Sequence, residues 1–131
     1  MKTKMILLSI TFFMAIIVNA QTFYDASGRI VGRMNGEFVY NGSGKAIGRI
    51  DRDYVFDGSG RIIGRMDSDR IMDGSGKLLG RFDGDRVYDY SGRIIGRVDD
   101  EQYYDGTGRR IGRTEAVRRK FGVLFFYFFF Y

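Results

Sequence analysis

The chain has 131 residues and a formal net charge of +5, with no His, no Cys and no Pro. Without imidazole or thiol groups there is no histidine base, no thiol nucleophile, no disulfide and almost no route to a structural zinc site, so the fold must be held by packing alone. The 21 Lys and Arg against 16 Asp and Glu are a mild excess, which admits an anionic partner without requiring one.

The first predicted element is a leader over residues 1–20. Lys2 and Lys4 precede an apolar run, Met5–Val18, interrupted by Ser9 and Thr11 alone, and Val18-Asn19-Ala20 offers a cleavage site with small residues. The run is shorter than the roughly 20 residues of a spanning helix, so a cleaved signal peptide is expected rather than an anchor. The expected mature chain starts at Gln21 and is exported to the periplasm, the cell surface or the medium. Removing the leader with its two lysines leaves 111 residues and a net charge of +3.

The next 96 residues, 22–117, are six copies of a 16-residue unit, starting at Thr22, Phe38, Tyr54, Arg70, Arg86 and Gln102. Each copy carries an Asp-x-Ser-Gly turn such as Asp57-Gly58-Ser59-Gly60, with Asn41 replacing Asp once and Thr107 replacing Ser once. The invariant last glycine, Gly60 and its counterparts, is where a left-handed backbone is expected, as in a type I turn closed by an αL residue. The turn Asp has a carboxylate suited to bonding backbone N–H groups ahead of it. A second, two-residue turn falls at Asn35-Gly36, Arg52-Asp53, Ser68-Asp69, Gly84-Asp85 and Asp100-Glu101. The runs between turns are short and rich in β-branched and aromatic residues, which predicts strands. Five complete hairpins lie between the six Asp-x-Ser-Gly turns, and closure into a ring would remove exposed strand edges.

One further glycine recurs inside a predicted strand in all six copies: Gly32, Gly48, Gly64, Gly80, Gly96 and Gly112. Glycine weakens a strand, so either a neighbouring strand or aromatic ring approaches closely, or the position is a bulge.

Periodicity stops at Thr114. Residues 114–120 read as a short helix with Thr114 as N-cap, basic residues in the last turn and Gly122 as its stop. Nine apolar residues follow, Val123–Tyr131, too few to span a bilayer as a helix. As a strand they would be apolar on both faces, and two readings stand: the strand plugs or closes the ring, or Phe125–Tyr131 inserts into a membrane or pairs with another chain. The expected architecture is therefore all-β, a single domain over residues 21–131. Five to six hairpin repeats are arranged radially or as a closed ring, followed over residues 118–131 by a short C-terminal helix and an aromatic strand.

The repeated Tyr-Asp-x-Ser-Gly-Arg-x-Ile-Gly-Arg units, the hairpin count, the leader and the Phe-rich end resemble the five-fold β-flower family of small exported bacterial proteins over Gln21–Tyr131. That resemblance implies five radial hairpins about a pseudo-five-fold axis and implies no activity. A weaker likeness connects Tyr-Asp-x-x-Gly-Arg to the longer YD repeats of large toxin shells.

The chemistry left to the chain is carboxylate and guanidinium chemistry. Arg33, Arg49, Arg65, Arg81, Arg97 and Arg113 form a column that never varies to Lys, and a second basic column holds Arg29, Lys45, Arg61, Lys77, Arg93 and Arg109. Fixed Arg favours planar stacking or bidentate bonding over bulk charge. The first column is thus either an internal set of Asp and Tyr partners, or a candidate binding ring for an anionic glycan or lipid, with nucleic acid the weaker candidate. The acidic loops Asp51-Arg52-Asp53, Asp67-Ser68-Asp69 and Asp83-Gly84-Asp85 lack the longer spacing ending in Glu of calcium loops, so no metal and no cofactor are expected. The leading reading is an exported, non-catalytic repeat scaffold with a binding or structural role at the cell envelope. The alternatives are a carboxylate-based hydrolase of an envelope glycan, or a membrane-associated assembly subunit held by the aromatic tail.

Overall fold

A computed structural model describes residues 20–131; the leader expected over residues 1–20 lies, except for Ala20, outside the described residues. Twelve antiparallel strands close into a barrel. They are β1 (Gln21–Asp25), β2 (Ile30–Asn35), β3 (Phe38–Asn41), β4 (Ala46–Asp51), β5 (Tyr54–Asp57), β6 (Ile62–Asp67), β7 (Arg70–Asp73), β8 (Leu78–Asp83), β9 (Arg86–Asp89), β10 (Ile94–Asp99), β11 (Gln102–Asp105) and β12 (Arg110–Glu115).

Each Asp-x-Ser-Gly turn joins an odd strand to the next even one, and its last glycine is left-handed in every copy, with φ between +87° and +89°. Four of the two-residue loops joining even strands to odd ones fall at the pairs the sequence pattern gave, and the first begins one residue later than expected. Asn35 pairs with Phe38, so the loop is Gly36-Glu37. The first residue of each loop also has positive φ, including the non-glycine Arg52, Ser68 and Asp100. Counted by their Asp-x-Ser-Gly turns, the strands make six hairpins, not the five implied by the resemblance. The sixth seam has no covalent loop: β1 pairs directly with β12, Phe23 opposite Thr114 and Tyr24 opposite Arg113.

Every hairpin has one bulge, always one residue before the strand-interior glycine. In the first copy Phe23 pairs with Gly32 and Tyr24 with Ile30, leaving Val31 as the extra residue. The bulge turns Val31, Ile47, Ile63, Leu79, Ile95 and Ile111 against the core. Below them the strand alternation faces three sets of residues inward: the six glycines, the set from Phe23 and Val39 to Tyr103, and the set from Met34 and Ile50 to Thr114.

Such a barrel is too wide to fill itself. Eight strands leave an interior just wide enough for side chains. Twelve strands at about 4.8 Å spacing make a ring about 18 Å across even before tilt. A helix with its side chains is about 10–12 Å across, which suits the space left. The C-terminal tail supplies it. Ala116, at φ +58°, turns the chain inward, and α1 (Arg119–Val123) runs straight into a π-helical segment, Leu124–Phe129. The expected aromatic strand is therefore a helix, and its plugging role stands. Thr114 is not a cap: it is a buried residue of β12, and α1 begins after Arg118 with no side-chain cap. Nor does Gly122 stop the helix. It lies within α1, where a Cβ would occupy the space taken by the Tyr103 hydroxyl. Lys120 Nζ bonds Asp53 Oδ1 at 2.8 Å, fastening the helix to the β4–β5 loop.

The tail meets the barrel one ring per glycine. Phe125 covers Gly32, and Phe126, Tyr127, Phe128, Phe129 and Phe130 cover Gly112, Gly96, Gly80, Gly64 and Gly48 in turn. A Cβ on any of these glycines would lie 2.8 Å or less from a ring carbon. Both readings of the strand glycine are thus realised, the bulge beside it and the ring upon it.

Two outcomes follow. Gly64→Ala should cost about 1–3 kcal/mol, the usual range for overpacking, in urea unfolding. Phe129→Leu added to it should restore part of that loss, and additive effects of the two changes would contradict the ring-on-glycine contact. Truncation after Lys120 should leave no folded monomer by circular dichroism and gel filtration, because the hollow ring has no other filling.

Candidate functional site

The six predicted arginines do not converge. Each stands alone on the outer wall near the middle of an even strand, and together they form a belt. Most are already engaged. The Arg49, Arg81 and Arg97 guanidinium groups lie 4.0, 4.3 and 4.7 Å from the ring centroids of Phe56, Tyr88 and Tyr104. Arg113 stacks 4.0 Å over Tyr24, so the same contact bridges the seam that has no loop. Carboxylates complete the sites: Glu37 at 3.0 Å and Asp51 at 3.3 Å for Arg49, Asp83 at 3.2 Å for Arg81, and Glu115 at 3.1 Å for Arg113. Arg97 and Asp99 are 4.0 Å apart. Arg65 faces Met72, its Nη2 lying 3.8 Å from Sδ. Arg33 pairs in register with Tyr40 and is exposed. Exposed ion pairs contribute little, and stacking adds about 0.5–1 kcal/mol at such sites, so the belt acts as wall structure repeated around the barrel.

The turn carboxylates are also spoken for. Asp57 Oδ1 accepts hydrogen bonds from Ser59 N at 2.9 Å, Ser59 Oγ at 2.7 Å and Arg61 N at 3.0 Å. The same three acceptor contacts recur at Asp25, Asn41, Asp73, Asp89 and Asp105. The side-chain hydroxyl bond is the main cause holding each of the five Asp below its ordinary pKa. Among the described residues no group of three or more acidic side chains is placed to hold a metal ion.

Two features were not drawn from the sequence. One is a notch of about 280 Å³ on the outer wall, lined by Phe38, Ala46, Arg49 and the Asp57–Gly60 turn. The signal for it was Ala46, the one small residue in a column otherwise holding Ile30, Ile62, Leu78, Ile94 and Arg110. The other is the mouth of the barrel at the Asp-x-Ser-Gly end. Its floor is the partly exposed rings of Tyr127, Phe128, Phe129 and Phe130, with Tyr131 packed edge-on against Phe126 at 5.3 Å. Tyr127 donates to the Tyr104 carbonyl at 2.6 Å, and burial pushes its phenol well above the ordinary range. Deeper in, the Tyr103 and Thr114 hydroxyls are buried and neither makes a hydrogen bond of ordinary geometry.

The family model that matches this chain is described as "5-fold beta-flower protein" and covers residues 20–130. Neither the curated proteins nor the solved structures gave a match.

The turn carboxylates make stability depend on acid. A folded pKa below the unfolded value, near 3.9 for Asp, gives stability that is present above that value and lost as pH falls through the folded pKa. Melting temperature should therefore drop below about pH 4. Asp73→Asn keeps the acceptor oxygen, as Asn41 does naturally, and should reduce that acid-induced drop while leaving stability at pH 7 nearly unchanged. Identical pH profiles for the two proteins would show that the turn bonds do not set the titration.

Proposed function

The chain belongs to the 5-fold beta-flower family, and from that premise we propose that it is an exported, non-catalytic scaffold with a binding or structural role at the cell envelope. The observation that carries this reading is the self-contained closure of the barrel: twelve strands, no open sheet edge, and a centre filled by the chain's own tail. A closed sheet is protected against edge-to-edge pairing outside the cell, and it needs no disulfide to stay shut.

Two further points support a scaffold over an enzyme. The family is not one of known enzymes. Most of the carboxylates that a glycan hydrolase would use are divided between turn capping at one end and Arg pairing along the wall. Export rests on Lys2, Lys4, the Met5–Val18 run and the small residues before Gln21.

Fractionation tests the compartment. Expressed from its own start in a bacterial host, the protein should appear in the envelope or medium with Gln21 as its N-terminus by sequencing. A variant lacking residues 2–20 should stay in the cytoplasm. A full-length product retained in the cytoplasm with residue 2 intact would overturn the proposal.

A further inference from the structure

We propose that Asn35, which precedes Gly36, is a site of spontaneous deamidation, and that the aspartate it yields supplies the carboxylate that Arg33 lacks.

Arg33 is the exception in the wall column. Each column Arg has two positions from which an acid can reach it, two residues ahead and twelve residues back. Arg49 uses both, through Asp51 and Glu37. Arg81 does the same through Asp83 and Asp69, at 3.2 and 3.8 Å. Arg97 and Arg113 use the position ahead, through Asp99 and Glu115. Arg65 has Asp67 and Asp53 at these positions, and Asp53 pairs with Lys120. At Arg33 alone both positions hold amides, Asn35 and Gln21.

The missing acid has a visible correlate. The four arginines with an ion pair are the same four that lie within 4.7 Å of a ring centroid. Arg65 has acids but faces Met72 in place of a ring. Arg33 has a ring opposite it, Tyr40, but no acid, and it is not among the stacked four. Carboxylate and ring therefore act together: the ion pair holds the guanidinium where it can lie flat.

Asn-Gly is a labile context because no side chain shields the glycine nitrogen. The Gly36 nitrogen attacks Asn35 Cγ, the Cγ–Nδ2 bond breaks, and ammonia leaves behind a cyclic succinimide. Water then opens the ring. Addition at Cγ leaves aspartate at position 35, and addition at the Asn35 main-chain carbonyl carbon leaves isoaspartate. One water is consumed and one ammonia released, with no oxidant or cofactor.

The chain has two Asn-Gly pairs, and the fold treats them differently. Asn41 Oδ1 accepts from Ser43 N at 3.0 Å, Ser43 Oγ at 2.8 Å and Lys45 N at 3.0 Å. Gly42 lies against the preceding hairpin, where a Cβ would come 2.6 Å from the Ile30 carbonyl oxygen. Ring closure there must disturb the three bonds and shift Gly42 against its neighbour. Asn35 is exposed at the end of β2, Gly36 has φ +63°, and nothing lies within 4 Å of where its Cβ would stand. Exposed loop tips are where local opening is easiest. Aspartate at position 35 would restore the acid that Asp51, Asp67, Asp83, Asp99 and Glu115 provide in the other copies.

Deamidation is read on isolated protein, so its failure leaves the fractionation result standing. Purified protein is aged at mildly alkaline pH, which favours loss of the glycine N–H proton, both folded and in urea. Peptide mapping by mass spectrometry follows the amide-to-acid exchange at both asparagines. In the folded protein Asn35 should convert severalfold faster than Asn41, and in urea the two rates should converge. N35D should melt about 2–6 °C above N35Q, which keeps an amide and resists ring closure. That gain should vanish in an R33Q background. Four results would overturn the proposal: no conversion at Asn35, Asn41 converting as fast in the folded protein, isoaspartate as the sole product, or a gain from N35D that survives R33Q.

Discussion

The contact between six glycines and six aromatic rings is what the remainder of the fold depends on. A twelve-stranded barrel has a void that wall side chains of Val, Ile and Met size do not reach across. Leaving it empty would forfeit the dispersion contacts of every inward residue. The tail fills it, but a helix bristling with Phe fits only if the wall steps back where each ring arrives. Omitting Cβ at Gly32 and its five counterparts is that step. The backbone cost of glycine in a strand, about 0.5–1 kcal/mol each, is outweighed by burial of a phenyl ring, worth about 1.5–3 kcal/mol.

The same contact explains why the plug is not an ordinary α-helix. Residues 126–130 address hairpins six, five, four, three and two in order, and Phe125 addresses hairpin one. That is one hairpin, about 60° of the ring, per residue. An α-helix advances about 100° per residue and would carry successive rings past their glycines. The wider π-helical winding, marked by the Phe130 N–H to Phe125 carbonyl bond at 3.2 Å, comes closer to the spacing of the wall. Winding of this kind is rare because its bonds are poor, and here packing overrides the local preference. The six consecutive rings from Phe125 to Phe130 thus match the six hairpins of the wall.

Much of this was legible beforehand because the repeat reports each constraint six times. The left-handed turn glycine, the Asp acceptor and the alternating strands all follow from local stereochemistry, which a short motif records in full. The strand glycine announced a close approach, and an aromatic ring was among the candidates. What the motif does not contain is the partner. Nine consecutive apolar residues have no period, so Val123–Tyr131 reads equally as strand or helix, and only the cavity decides. Thr114 looked like a cap because it follows the last repeated Arg and precedes a Glu and an Ala. Its pairing with Phe23 across the open seam involves a residue 91 positions away in the chain. That seam is also why a count of hairpins between turns gave five where the closed ring has six.

The two basic columns separate structure from surface by their composition. The wall position is Arg in all six copies, and four of the six lie flat on a ring. An ammonium group cannot reproduce that planar contact while also reaching Asp or Glu, as the Arg49, Arg81 and Arg113 Nη1 atoms do. The rim position takes Arg four times and Lys twice. A site that accepts either asks for a positive charge and no particular geometry. The five rim Asp cap their own turns through Oδ1 and keep their negative charge beside the cations.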